Sequence, residues 1–160
     1  MPLLHEQHFR AVENLLYEWA RAIDENRVED ICTLLAPEGR YRVQSRFNAD
    51  RNLPHSLMDA QSAAQLRDRI KSMRLANIYE PQHYRHLVSG VQIVGGEGTR
   101  VQVRSNFVII RTLDLDGDMK VFAAGQCEDV VDVGGPEPLF LSRHFKLDSR
   151  VVETLMVIPV

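Results

Sequence analysis

The hydrophobic positions of the N-terminal part of the chain recur at helical spacing. From His8 to Ile23 an apolar side chain returns every three or four residues, which is typical of an amphipathic helix that buries one stripe. A shorter helix is predicted over Val28 to Leu35, and Pro37-Glu38-Gly39 is expected to end it in a turn. The first forty residues therefore predict two consecutive helices.

A first strand and a third helix follow. The segment "YRVQSRF", Tyr41 to Phe47, alternates apolar and polar residues and predicts a half-buried strand with Gln44 on its polar face. Asn48 to Met58 is polar and predicts a loop. Ser56 or Asp59 is expected to cap the next helix, which runs to about Leu75. Its predicted inward residues are Ala63, Leu66, Ile70 and Met73.

The second half of the chain changes to a period of two. Turn-like connectors separate long alternating segments. Strands are predicted at Arg85 to Val94, Arg100 to Leu113, Lys120 to Val133 and Leu139 to Asp148, with a further extended segment near Leu155 to Val160. Helices followed by an antiparallel meander predict a single α+β domain over residues 1 to 160. Strands this long must twist, so we expect a curved sheet wrapped around the helices as a cone.

Composition and charge narrow the possible partners. A net charge of -3 and an isoelectric point near 6.1 give no electrostatic case for nucleic acid or an anionic membrane as a partner. No run of about 18 apolar residues predicts a membrane span, and the N-terminus lacks the pattern of a secretion signal. We therefore expect a cytoplasmic protein, with Cys32 and Cys127 as free thiols.

The segment "NIYEPQHYRHLVSG" carries His83 and His86 at a spacing that suggests a metal site. Pro81 disfavours a helix through this segment, and on a strand two residues three positions apart point to opposite faces. The two histidines are therefore not expected to share a metal ion.

A second hypothesis is a proton-transfer pocket inside the cone, in a stand-alone isomerase, dehydratase or cyclase. A carboxyl group in an apolar cavity has a raised pKa that suits proton transfer. Each candidate also has a structural explanation, as a helix-start, solvated or surface residue, so the enzymatic hypothesis remains the alternative. The candidate residues are Tyr17, Asp30, Tyr41, His86, Asp129 and His144.

Charged residues that interrupt the apolar strands favour a third hypothesis, a subunit interface. Arginine forms bidentate pairs with carboxylates, and such pairs are common between subunits. The set consists of Arg85, Arg104, Arg111 and Arg143 with Glu128 and Asp132. In a monomer, we expect these side chains to be exposed to solvent.

Three stretches carry a family resemblance: "RDRIKSMRLANIYEPQHYRHLVSG", "VFAAGQCEDVV" and "LSRHFKLDSRVVETLMVIPV". With "YEWARAIDENRVEDICTLLAPEGRYRV" nearer the N-terminus, they resemble the small (β) subunit of bacterial aromatic-ring-hydroxylating dioxygenases. The resemblance covers nearly the whole chain. It is nearest to the branch that acts on aromatic carboxylates such as terephthalate, salicylate and benzoate.

The resemblance implies a fold and a set of partners. The fold is the cone of nuclear transport factor 2, and the role is that of a non-catalytic structural subunit without a cofactor of its own. The Rieske iron-sulfur cluster, the mononuclear iron and the substrate pocket belong to the partner α subunit, in an α3β3 hexamer whose β chains form a trimer. Tyr84, Arg85 and His86 then become candidate subunit contacts. Leu139-Phe140-Leu141 departs from the tryptophan-centred patch that many family members have before the position of Arg143.

Overall fold

The computed structural model describes residues 2–76, 81–151 and 159–160 and contains, in these ranges, four helices and six strands. A 3-10 turn at Val28–Asp30 leads into the second helix. The helices are α1 (Pro2–Asp24), α2 (Ile31–Leu34), α3 (Arg46–Asp50) and α4 (Ala63–Ala76). The strands are β1 (Leu35–Ser45), β2 (Met58–Ala60), β3 (Gln82–Glu97), β4 (Arg100–Leu113), β5 (Met119–Asp132) and β6 (Leu139–Leu147).

All six strands form one open sheet in the order β2-β1-β6-β5-β4-β3. Every neighbouring pair is antiparallel except β1 and β6, which run parallel. Interruptions of the register occur in the β3–β4, β4–β5 and β5–β6 pairs, and such irregularities bend a sheet. The predicted α+β fold with long strands is confirmed, and the parallel β1–β6 pair makes the sheet mixed. No helix in the described part of the chain is long and apolar enough to cross a membrane.

The core lies between the helices and the inner face of the sheet. The stripe of α1 that sequence periodicity predicted is buried, as are Ala63, Leu66, Ile70 and Met73 of α4. Trp19 of α1 packs against the rings of Tyr41 and Phe140, with centroids 5.6 and 5.5 Å away. Its indole Nε1 donates a hydrogen bond to the Val160 carbonyl oxygen. The last residue is thus tied to the first helix and the sheet.

The segment after α2 differs from the prediction. The helix ends at Leu34, and Leu35 already belongs to β1. Pro37-Glu38-Gly39 forms no chain-reversing turn but lies within this strand, where the β1–β6 register shifts between Leu35 and Arg40. The turn-forming residues are accommodated as an irregularity because proline and glycine are tolerated at bulges.

The strand predicted from Tyr41 to Phe47 ends at Ser45. Phe47 lies in α3, whose first turn is capped by the Ser45 hydroxyl that accepts a hydrogen bond from the Asn48 amide. Gln44, predicted on the solvent side, is buried because its Nε2 donates to the carbonyl oxygens of Leu53 and His55. The chain that follows α3 therefore covers this end of β1.

Other boundaries also need correction. The expected loop from Asn48 to Met58 contains part of α3 and the first residue of β2. Neither Ser56 nor Asp59 caps α4. The Ser62 hydroxyl accepts a hydrogen bond from the Gln65 amide and fills that role. Residues 77–80 lie outside the described residues, as does most of the extended segment predicted near the C-terminus, of which residues 159–160 are described and are not in a strand.

Candidate functional site

The inner face of the sheet carries a buried arginine-carboxylate pair. Arg143 on β6 and Asp129 on β5 are register partners on adjacent strands. Arg143 Nε lies 2.8 Å from Asp129 Oδ1, and Nη2 lies 3.1 Å from Oδ2, so the pair is bidentate. The side chains are 4% and 0% exposed. A pair so deeply buried is held by its mutual charge and hydrogen bonds, because neither group reaches water.

Aromatic rings surround this guanidinium. Its central carbon lies 4.1 Å from the ring centroid of Phe140, 4.7 Å from that of Phe145 and 4.8 Å from that of Trp19. Burial lowers the pKa of Arg143, but the negative charge and hydrogen bonds of Asp129 outweigh burial and leave the pKa raised. Burial, and then the charge of Asp129, raise the pKa of the neighbouring Cys127 thiol well above its usual value. Cys127 is therefore a neutral core thiol, not a nucleophile.

His86 takes part in a second buried contact. Its backbone N–H donates to Asp24 Oδ2 at 2.9 Å, and its ring Nδ1 lies 2.5 Å from Asp24 Oδ1. Because the N–H belongs to the outermost strand, β3, the Asp24 carboxylate covers part of the sheet edge and joins it to the end of α1.

His83 lies elsewhere and pairs with Asp114 at the surface, 3.2 Å away. The prediction that His83 and His86 point in different directions is confirmed, since the first side chain is 70% exposed and the second 3%. In the part of the chain that the structure describes, no three His, Cys, Asp or Glu residues are grouped as metal ligands.

The interior of the cone is filled. The void between α1 and the sheet measures about 10 Å³ and is bounded by His86, Ser105, Cys127 and Arg143 together with apolar side chains. Small-molecule sites usually measure roughly 300–1,000 Å³. This void holds at most about one water molecule and has no room for a small-molecule substrate.

The residues proposed for a proton-transfer pocket are not brought together. Tyr41 is buried and exchanges hydrogen bonds with the backbone of Val160, while Asp129 is occupied by Arg143. Burial raises the pKa of Tyr41. Tyr17 and Asp30 lie at the surface, where they bond to Glu13 and Arg27. His144 is on the outer face of the sheet, and His86 is held by Asp24.

The residues proposed for a subunit interface divide into two groups. Arg85 and Arg104 point outward and are exposed, as predicted. Arg143, Arg111 and Tyr84 are buried within this one chain, and the ring of His86 is buried as well. The expectation that a monomer leaves the strand arginines in water is therefore wrong for Arg143 and Arg111, because the inner face contains polar groups that pair with each other or pack on aromatic rings.

Tyr84 and Arg111 both pack on Phe122 inside the cone. The Tyr84 ring stacks on it at 5.2 Å between centroids, and the Arg111 guanidinium carbon lies 5.7 Å from its centroid. These residues stabilise the contact between β3, β4 and β5.

The outer face of the sheet holds a row of polar side chains across five strands. Register partners place Gln92, Arg104, Glu128, His144 and Arg42 side by side from β3 to β1. Arg104 Nε donates to Gln92 Oε1 at 2.8 Å, and Glu128 lies 2.9 Å from Lys146 Nζ. A groove of about 530 Å³ follows this row.

Apolar side chains occupy other positions of this outer face. Leu87 is 50% exposed, Val94 52% and Val121 64%. In the described residues the helices pack on the inner face of the sheet, and the chain after α3 covers the outer face at its β1 end. An uncovered sheet surface with exposed aliphatic residues beside a polar groove has the composition of a protein contact surface.

His144 on this surface makes the protein sensitive to acid. Burial, with the positive charges of Lys146 and Arg42, lowers the pKa of His144 to about 4, from an ordinary 6.5. Folding disfavours its protonation, so stability is full above pH 6.5 and falls as the pH drops from about 6.5 to about 4. We expect the free energy of unfolding to fall by up to about 3 kcal/mol.

Chemical denaturation at a series of pH values tests this expectation, with His144→Gln as the comparison. As the pH falls across this range, the unfolding free energy of the unmodified protein should decrease more than that of His144→Gln. An unchanged difference between pH 7 and pH 4 would contradict the role of His144.

The fold and the filled interior define a class: an NTF2-like cone whose inside is packed and whose outer sheet face is exposed. The family model for the ring hydroxylating beta subunit matches residues 18–154. This chain belongs to that family.

Individual relatives of this chain belong to the same class of protein. The anthranilate 1,2-dioxygenase small subunit of Burkholderia cepacia is 32% identical over 139 residues, covering 86% of this chain and 85% of the relative. The terephthalate 1,2-dioxygenase terminal oxygenase component subunit beta 2 of Comamonas sp is 31% identical over 141 residues, covering 88% and 91%. The crystal structure of the β subunit of a putative aromatic-ring-hydroxylating dioxygenase from Novosphingobium aromaticivorans is 28% identical, with a TM-score of 0.86 and coverage of 94% and 95%. The resemblance inferred from the sequence is confirmed.

Proposed function

We propose that this β subunit is a non-catalytic, structural component that supports the iron-containing α subunit of an aromatic-ring oxygenase. The observation that carries the proposal is the filled cone, whose void of about 10 Å³ admits no substrate. Of the polar groups next to it, Asp129 is bound to Arg143, and His86 is bound to Asp24 through Nδ1 while its buried Nε2 has no hydrogen-bond partner in the described residues. The stand-alone enzyme is not favoured, although an aspartate and a histidine do lie inside.

The substrate class follows from the relatives. Anthranilate and terephthalate, for which two relatives are named, are both aromatic carboxylates. We infer that the complete oxygenase acts on an aromatic acid in oxidative catabolism in the cytoplasm. The pocket for that acid, the Rieske cluster and the mononuclear iron are assigned to the α subunit.

We further propose that the outer sheet face joins β subunits into a trimer within an α3β3 hexamer. The groove on this face contains both Arg104 and Glu128, so it offers opposite charges to a neighbouring copy. Exposed Leu87 and Val121 supply apolar surface beside it.

Light scattering on the isolated subunit at micromolar concentration should give about three times the chain mass of 18.3 kDa. Arg104→Glu places a second carboxylate beside Glu128 and should shift the protein toward monomer. Arg67→Glu on the exposed face of α4 is the matched control and should leave the mass unchanged. A monomer in the unmodified protein would exclude the isolated trimer.

Co-expression with the cognate α subunit tests the structural role. A tagged β subunit should retain the α subunit through purification, and oxygenase activity should require both chains. Turnover of an aromatic acid by the β subunit alone would contradict a non-catalytic role.

A further inference from the structure

A separate surface groove of about 170 Å³ lies at the seam between α1 and β3. Tyr17 and Ala20 contribute to its wall from α1, and Val88 contributes from β3. Two arginines, Arg21 from the last turn of α1 and Arg85 from β3, also line it, and both are exposed. The groove therefore combines apolar walls with two positive charges.

Neither of these arginine side chains is neutralised within the described residues. Across residues 2–76, 81–151 and 159–160, the side chains of Arg21 and Arg85 have no ion-pair or hydrogen-bond partner. The carboxylate that lies in the groove, Asp24, uses one oxygen for the ring and the other for the backbone N–H of His86.

The Tyr17 side chain is occupied as well. Its hydroxyl donates to Glu13, whose carboxylate also lies 3.6 Å from Arg10. Two exposed arginines with no side-chain partner among the described residues border this groove and favour an anion there, although the whole chain carries a net charge of -3.

We propose that this seam groove receives a carboxylate side chain of the α subunit. A guanidinium presents a planar fork of donors that matches a carboxylate, and two of them favour an acidic residue over any neutral one. The walls formed by Tyr17, Ala20 and Val88 suit the methylene groups of a glutamate. This inference rests on the proposed function, since it assigns a contact to the α subunit.

Charge distinguishes this groove from the outer-face groove. The outer-face groove contains both Arg104 and Glu128, so it can bind groups of either charge on a neighbouring copy. The seam groove offers only unpaired cations, because its carboxylate is already bound. A different chain with an acidic contact surface is therefore the better fit, and in the proposed assembly that chain is the α subunit.

The test measures the dissociation constant of the αβ complex with the double variant Arg21→Gln, Arg85→Gln. We expect association to weaken about tenfold at low salt and to depend less on salt than in the unmodified complex, since charge pairs at an interface are screened by ions. The matched control is Arg67→Gln, Arg69→Gln, which removes two exposed arginines of α4 and should leave the constant unchanged. Arg21→Glu, Arg85→Glu should weaken association more strongly than the glutamine pair.

Four outcomes are distinguishable once thermal unfolding shows that the variants fold. Selective weakening by the Arg21 and Arg85 changes supports the proposal. An unchanged dissociation constant overturns it, and so does equal weakening by the α4 control, which would reflect net charge alone. Dissociation of isolated β trimers by the same variants, with α binding retained, would assign the groove to a second copy and also overturn it. Failure of the unmodified chain to bind α is a different result, since it removes the proposed function itself.

Discussion

Asp129→Ala should destabilise the subunit by about 3–5 kcal/mol, because the substitution leaves the Arg143 guanidinium buried without its counter-charge. Both Arg143 nitrogens that bind Asp129 are shielded from solvent, so no water replaces the lost carboxylate. The three surrounding rings provide only partial compensation. Urea unfolding of the isolated subunit, followed by circular dichroism, measures the change.

The surface pair Arg40–Asp59 is a control with matched chemistry. Its two hydrogen bonds, 3.1 Å and 2.9 Å, have the same bidentate pattern as the buried pair, but its side chains are 43% and 29% exposed. Asp59→Ala should therefore cost less than about 1 kcal/mol. Equal losses for Asp129→Ala and Asp59→Ala would show that burial of Arg143 does not govern the stability of this subunit.

Trp19→Ala should have a comparably large effect, about 3–5 kcal/mol. The indole is almost fully buried, packs on Tyr41 and Phe140 and lies over Arg143. It also donates to the carbonyl of Val160. Removing it opens a cavity where α1, β1, β6 and the last residue meet.

Two further variants separate the contributions of Trp19. Trp19→Phe keeps most of the packing and loses the indole donor, so it should cost roughly 1–2 kcal/mol. Tyr17→Ala, on the exposed side of the same helix, should cost less than about 1 kcal/mol. Thermal unfolding of the three variants gives the ranking, and a Tyr17→Ala loss as large as that of Trp19→Ala would contradict the assigned orientation of α1.

Periodicity was sufficient to predict the elements that bury one regular face. The stripes of α1 and α4 and the long strands β3 to β6 follow directly from spacings of three to four and of two. Periodicity was not sufficient at β1, because its early segment contains Pro37 and Gly39 and its later polar residue Gln44 is covered by a distant loop. Whether a loop covers a strand depends on tertiary structure, which the local spacing of residues does not predict.

The position of Arg143 shows the same limit for the candidate site. On β6, Arg143 occupies the same inward face as Phe145 and Leu147, at every second position. On β5, Asp129 likewise shares the inward face with Cys127 and Val131. Strict use of this alternation would have placed both charges inside. Burying a single unpaired charge on an apolar face costs too much free energy to be expected from the sequence. The strand register that pairs Arg143 with Asp129 is known only from the structure.

The seam groove could not be predicted because Arg21 and Arg85 are 64 positions apart in the sequence and meet only when α1 packs beside β3. Arg85 was identified as an interface candidate from its strand position. Arg21 gives no such signal, since a basic residue in the last turn of a helix has an ordinary explanation in the helix dipole.

The most direct test of the central claim is the mass, iron content and activity of the complex formed with the cognate α subunit. A non-catalytic structural role predicts a complex with equal numbers of the two chains, a mass that fits α3β3, and iron that stays with α when the chains are separated. Activity should appear only in the complex. A β subunit that binds no α subunit, or that retains the iron or converts the aromatic acid after separation, would contradict the account.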